Sequence, residues 1–203
     1  MRSLVEKPTE PATDLALVGV YLFDHHIHEA VRSIQPSPRG ELEITDAIQW
    51  LIDHEHPVQS RLLTGWWIDT GKLTPLLEAN RLLLERMETR IDGSVDSGSS
   101  VSGRVIIEAS ATVINSRILG PAIIGAGTSI RDSYIGPYTA VGPECRIDHS
   151  DIEHSVLLEG VHVSGVPRLQ DSLLDREAVV TRSSTRPRAL RLMVGDHCQI
   201  DVE

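Results

Sequence analysis

The sequence predicts a mixed α/β region over residues 1–91, followed over 92–203 by a parallel β-helix of hexapeptide repeats. Three observations carry this reading. From Val95 onward, aliphatic residues recur in steps of six and five. Aromatic residues are scarce: three Trp, three Tyr and one Phe in 203 residues, five of the seven before residue 70. The segment before Asp92 shows apolar stripes at helical spacing, punctuated by proline.

In the first region, Leu15–Phe23 is a nine-residue apolar run of strand length and composition, with both faces apolar. That pattern predicts a central strand. A short surface helix is expected over Ile27–Ile34, closed by Pro36 and Pro38. A second follows over Ile44–His54, with Ile44, Ile48, Leu51 and Ile52 on one face and Pro57 beyond its end. Residues 58–68 read as extended and lead through Trp66-Trp67 to Asp69-Thr70-Gly71. Thr74-Pro75 then opens a long helix, Thr as N-cap and Pro at the first helical position. Its stripe is Leu76, Ala79, Leu83 and Met87, and Asp92-Gly93 ends it.

Residues 92–104 hold five Ser and three Gly, the composition of a linker, but the repeat begins inside them. Val95, Val101, Ile107 and Val113 step by six, then Ile118 by five. Ile124, Ile130, Ile135, Val141, Ile147, Ile152 and Leu158 continue the rhythm, with a period of 17. Alternating strands and lone helices do not repeat this way. A solenoid does, with one inward aliphatic per short strand and three strands per coil. Its narrow core excludes rings, and coils contact only their neighbours along the axis. The register blurs beyond Leu158, so residues 175–203 read as an irregular cap. Within it Val194–Ile200 restores one hexad. Arg176, Arg182, Arg186, Arg188 and Arg191 read as a solvated rim.

Charge and cysteine content narrow the function. The 29 acidic and 19 basic residues give a formal charge of −10, which argues against a nucleic-acid surface. The longest apolar run is nine residues, where a membrane span needs about 20. Cys145 and Cys198 form no CxxC pair, and a reduced, cytoplasmic chain is expected.

Four segments of the first region occur in a telling order: Val5-Glu6-Lys7-Pro8, Leu17-Val18-Gly19-Val20-Tyr21, Pro38-Arg39-Gly40-Glu41-Leu42-Glu43-Ile44-Thr45-Asp46 and Trp67-Ile68-Asp69-Thr70-Gly71. Together with the solenoid they resemble the C-terminal part of a sugar-1-phosphate nucleotidyltransferase, in the long form of the thymidylyl-transferring enzymes. The resemblance implies a partial Rossmann-like catalytic domain over residues 1–91 and a left-handed coil after it. It also implies a reaction. A glucose-1-phosphate oxygen attacks the α-phosphorus of dTTP, giving dTDP-glucose and releasing pyrophosphate. By the same resemblance, Glu6 and Lys7 hold the sugar hydroxyls and sugar phosphate, Leu17 and Gly19 line the sugar pocket, and Asp69 is one of two carboxylates for Mg²⁺. Tyr21 reads as packing, and Glu41–Asp46 as setting the start of the following helix. The family's G-x-G-T-R-L phosphate loop does not occur in the 203 residues; Gly125-Ala126-Gly127-Thr128 reads as a solenoid corner. The expectation is a fragment holding the sugar half of the site, a homo-oligomer, inactive alone.

Two other readings compete. A hexapeptide acyltransferase would use His149, His154 or His162 as general base. A non-catalytic module would use the coils only for assembly. Asp24 with His25, His26 and His28, and His54 and His56 beside Asp53 and Glu55, are metal-like clusters that read as solvated surface, because helical spacing would scatter them.

Overall fold

The computed structural model describes residues 1, 3–70 and 73–182, residue 73 through its backbone only. The chain packs as two compact units, dividing after Trp67. The coils begin two residues before the expected 91/92 boundary, because strand Arg90–Ile91 already pairs with Ile106 and Ile107. The packing boundary lies earlier, so the helix before the coils goes with the second unit.

In the first unit, helix α1 (Ile27–Ser33) packs on α2 (Ile44–Asp53). Ala30, Ala47 and Leu51 are buried between them, with Ile27, Ile34, Ile44, Trp50 and Val58 around the edge. Small Ala30 and Ala47 let the two helices approach closely. The α2 stripe differs from the sequence reading in one respect. Ala47 and Thr45 are buried with Ile48 and Leu51, whereas Ile44 and Ile52 are only half-buried. The N-terminal segment is tied down where Leu4 N–H donates to Gln49 Oε1 at 2.6 Å.

The expected central strand over Leu15–Phe23 does not form. The segment has no strand pairing among the described residues, and Leu15, Val20 and Leu22 are 66%, 83% and 100% exposed. Apolar composition favours a strand only where a neighbouring backbone supplies the ladder.

In the second unit, α3 spans Leu73–Leu84. It starts one residue before Thr74, which therefore is not its N-cap, and it stops short of Met87. Its buried positions are Leu77 and Leu84, two turns apart, while Leu83 of the expected stripe is 60% exposed. Asn80 Nδ2 donates to the Tyr138 carbonyl at 2.9 Å, and Tyr138 Oη–H to Glu85 Oε1 at 3.4 Å, which fixes α3 against the coils.

The coils form three parallel sheets of six, six and five strands. Each sheet carries one inward aliphatic column. Ile107, Ile124, Val141, Leu157 and Leu174 line up in the first. Val95, Val113, Ile130, Ile147, Val163 and Val180 form the second. Val101, Ile118, Ile135, Ile152 and Leu169 form the third. Most of these side chains are buried in one continuous core. Leu157, not Leu158, is the inward residue: Leu157 is 1% exposed and Leu158 37%. Two steps of five follow each other there, so that coil is one residue shorter. Residues 175–181 are not irregular, because Val179–Thr181 pairs in register with His162–Ser164. Asp175 sits exposed at a turn, and Leu174 takes the inward place. The rest of the expected cap, with Arg186, Arg188, Arg191, the Val194–Ile200 hexad and Cys198, lies outside the described residues.

One corner carries a polar ladder that repeats at 17 residues, and at 16 in the shortened coil. Ser133 N–H donates to Ser116 Oγ, Ser150 N–H to Ser133 Oγ and Val166 N–H to Ser150 Oγ, each at 3.1 Å. Each Ser hydroxyl in turn donates to a carbonyl two residues back. Buried backbone donors at the corner are thereby satisfied, each such bond contributing about 0.5–1.5 kcal/mol net. Gly125-Ala126-Gly127-Thr128 is a corner as expected. Gly127 has φ +72°, a Cβ on Gly125 would fall 2.5 Å from the Gly142 carbonyl carbon, and Thr128 Oγ1 donates to the Gly142 carbonyl at 2.7 Å.

Candidate functional site

Glu6 and Lys7 sit in the first unit against the turn that opens α2. Glu6 is three-quarters buried, and its Oε2 accepts from Thr45 Oγ1 at 2.9 Å. Its Oε1 faces Arg39 Nη1 at 3.6 Å and Lys7 Nζ at 3.9 Å. Lys7 has φ +37° and is 70% exposed. Arg39 is the hub of this cluster. It also reaches Glu41 Oε2 at 2.9 Å and Glu43 Oε1 at 3.4 Å, and Glu43 accepts from Ser37 Oγ at 3.0 Å. One carboxylate is thus oriented by a hydroxyl and a guanidinium, with a lysine ammonium beside it turned to solvent. Such a pair offers a hydroxyl acceptor and an anion partner on one face.

Arg39, Ser37 and Thr45 were not singled out as site residues by the sequence. The signal was present, since the Glu41–Asp46 segment belongs to the same motif set. Its role is wider than setting the start of α2. Glu43, the residue before α2, makes no capping hydrogen bond with its side chain and instead joins the Arg39 cluster.

A cavity of about 420 Å³ lies in the same unit, lined by Leu17, Tyr21, Ile48, Leu51, His56 and Val58 among others. It takes in Leu17 but not Glu6, Lys7 or Gly19. Gly19 has φ +76°, and a Cβ there meets nothing within 4 Å, so the turn and not a close neighbour requires glycine. Tyr21 stacks on Phe23 with centroids 5.7 Å apart, the packing role expected of it. Trp67 Nε1–H donates to the Val18 carbonyl at 3.1 Å, which joins two of the four motif segments.

Asp69 falls in the second unit and is exposed. A hard divalent ion takes carboxylate oxygens, needs only one or two from the protein and completes its shell with substrate phosphates and water. A single exposed carboxylate fits that demand.

The coil histidines are surface groups. His149 Nε2 is 3.8 Å from Asp132 Oδ2 and His162 Nε2 is 3.9 Å from Asp148 Oδ2. His154 Nδ1 pairs with Asp171, and its ring meets Tyr138 edge-on at 6.2 Å. Cys145 is buried, and loss of solvent pushes its thiol pKa up. Among the described residues no helix is long and apolar enough to cross a membrane.

Comparison with known proteins places this geometry in a class. Residues 1–86 match the family model described as nucleotidyl transferase. The coils lie beyond the residues that this model matches. More particularly, the chain is 51% identical over 199 residues to a glucose-1-phosphate thymidylyltransferase of Streptomyces griseus, covering 98% of this chain and 56% of that protein. It is 52% identical to one from Streptomyces antibioticus, again over 98% and 56%. A low-salt glycan biosynthesis nucleotidyltransferase of Haloferax volcanii is 40% identical over 97% of the chain and 56% of its own length. The chain is therefore a homologue of the glucose-1-phosphate thymidylyltransferases along nearly all its length, and it spans about 56% of the length of these relatives.

Proposed function

We propose that this chain carries the sugar-phosphate side of a thymidylyltransferase that joins dTTP and glucose-1-phosphate into dTDP-glucose and pyrophosphate. The observation that supports it most is the Glu6–Lys7 pair, with Glu6 held by Thr45 and Arg39 and the Lys7 ammonium left exposed. In this reading Glu6 accepts hydrogen bonds from sugar hydroxyls. Lys7 neutralises the phosphate whose oxygen attacks, and Arg39 keeps the Glu6 carboxylate aimed. Asp69 contributes one oxygen to Mg²⁺, which when bound offsets phosphate charge. Positioning and charge neutralisation are what such transfers require of the protein, so the two residues act on orientation and not on a covalent step. Self-association through the flat coil faces belongs to the same reading.

Calorimetric titration with glucose-1-phosphate tests it. Saturable binding is expected, weakened about tenfold or more by Lys7→Ala, the loss of one charge-assisted contact. Lys7→Arg is expected to rescue part of it. Undiminished binding by Lys7→Ala and Glu6→Gln would remove this assignment.

A further inference from the structure

A second constellation lies at the start of α1, on different residues from the sugar-phosphate cluster. Asp24, His25 and His26 each offer one donor atom, and these atoms all lie within 4.8 Å of one another. Helical spacing does not scatter them, because α1 begins only at Ile27 and these three residues form the turn before it. His26 Nδ1 lies 3.0 Å from both carboxylate oxygens of Asp24. The His25 and His26 rings are 4.0 Å apart. A third ring arrives from another segment: His56 lies 4.3 Å from His26, backed by Trp50 at 6.1 Å. Asp24 and His56 also line the 420 Å³ cavity.

We propose that Asp24, His25 and His26 form a binding site for one zinc-class transition-metal ion, with the fourth coordination position taken by water. Metal–ligand bonds of about 2.0–2.1 Å in a tetrahedron set neighbouring donors roughly 3.3 Å apart. The Asp24–His26 pair already stands close to that separation. His25 closes the remaining distance by side-chain rotation, since its ring is exposed. Two imidazoles and one carboxylate suit zinc and its neighbours, whereas Mg²⁺ prefers oxygen alone. Binding takes the place of the His26 Nδ1–Asp24 contact: the neutral ring ligates through Nδ1 and carries its proton on Nε2. His56 is a positioning residue that holds the His26 ring from its face. The ion would pin the extended Leu15–Phe23 segment to α1, the part of the first unit that lacks a strand partner.

The test is Zn²⁺ titration of the untagged, chelator-stripped chain by calorimetry, with Co²⁺ absorption as a second readout. One Zn²⁺ per chain is expected, in the micromolar range, together with visible bands of four-coordinate Co²⁺. Asp24→Asn and His26→Ala are expected to weaken Zn²⁺ at least about tenfold and to abolish those bands, while Mg²⁺ in about 100-fold excess displaces nothing. His28→Ala, at the second residue of α1, is expected to bind as the parent does. Asp24 is exposed, so Asp24→Asn keeps the test valid if the His26 variant fails to fold. The proposal is overturned if the parent chain binds no Zn²⁺ at millimolar concentration. It is equally overturned if Asp24→Asn binds as tightly as the parent, or if His28→Ala loses as much as His26→Ala.

Discussion

The two units handle apolar sequence in opposite ways. In the coils, every inward aliphatic meets its counterpart one coil above or below, 16 to 18 residues away. Ladder hydrogen bonds, core contacts and corner serines all come from the adjacent coil. In the first unit, Leu15–Phe23 is as apolar as any coil strand, yet Leu22 is 100% exposed. Burial follows from having a neighbouring strand at the right distance, and repetition supplies one automatically. A lone apolar run depends on a partner that its own pattern does not specify.

Mutations sharpen this contrast. The largest effect is expected in the coil core. Ile135→Ala should lose about 2–5 kcal/mol, by transfer and cavity terms together, read by chemical denaturation. Ser133→Ala comes next. It removes the acceptor for the Ser150 N–H, an effect of about 1–3 kcal/mol if the buried donor is left unpaired. A change of opposite sign is expected at Thr139, whose buried Oγ1 has no hydrogen-bond partner among the described residues. Thr139→Val should gain about 1 kcal/mol by removing an unsatisfied hydroxyl without changing volume. Leu22→Ala should stay within about 0.5 kcal/mol, as for other exposed sites. A large loss at Leu22 would break the comparison.

Cys145 offers a pH test of the same contrast. Burial raises its pKa, so the folded state favours the neutral thiol. The associated stability is fully present below the unfolded thiol value, about 8.5, and is lost as pH rises from there through the higher folded value. In a Cys198→Ser background, Cys145 should resist a thiol reagent near pH 8 and react only on unfolding. Prompt reaction in the folded chain would show that the coils open.

The coils were legible because their signal is periodic. Val113, Ile130 and Ile147 announce one column, and a register error appeared only where two steps of five adjoin at Leu157. The α3 stripe was misread because Leu76, Leu77, Leu83 and Leu84 offer two candidate faces, and only contact with the coils selects Leu77 and Leu84. Asp24, His25 and His26 precede α1, which begins at Ile27, so helical spacing does not describe their arrangement. The Arg39–Glu6–Thr45 contacts span up to 39 residues, a long-range pairing that no local pattern contains.

The serine corner has a consequence for how such a chain can vary. Each Ser takes a donor from the coil after it and leaves its own backbone N–H to the coil before, so every interior repeat has interchangeable ends. Deleting or duplicating one whole repeat would rejoin matching halves. The axis would shorten or grow by one strand spacing, about 4.8 Å. Solenoid length is thus a quantity that selection can adjust in whole steps.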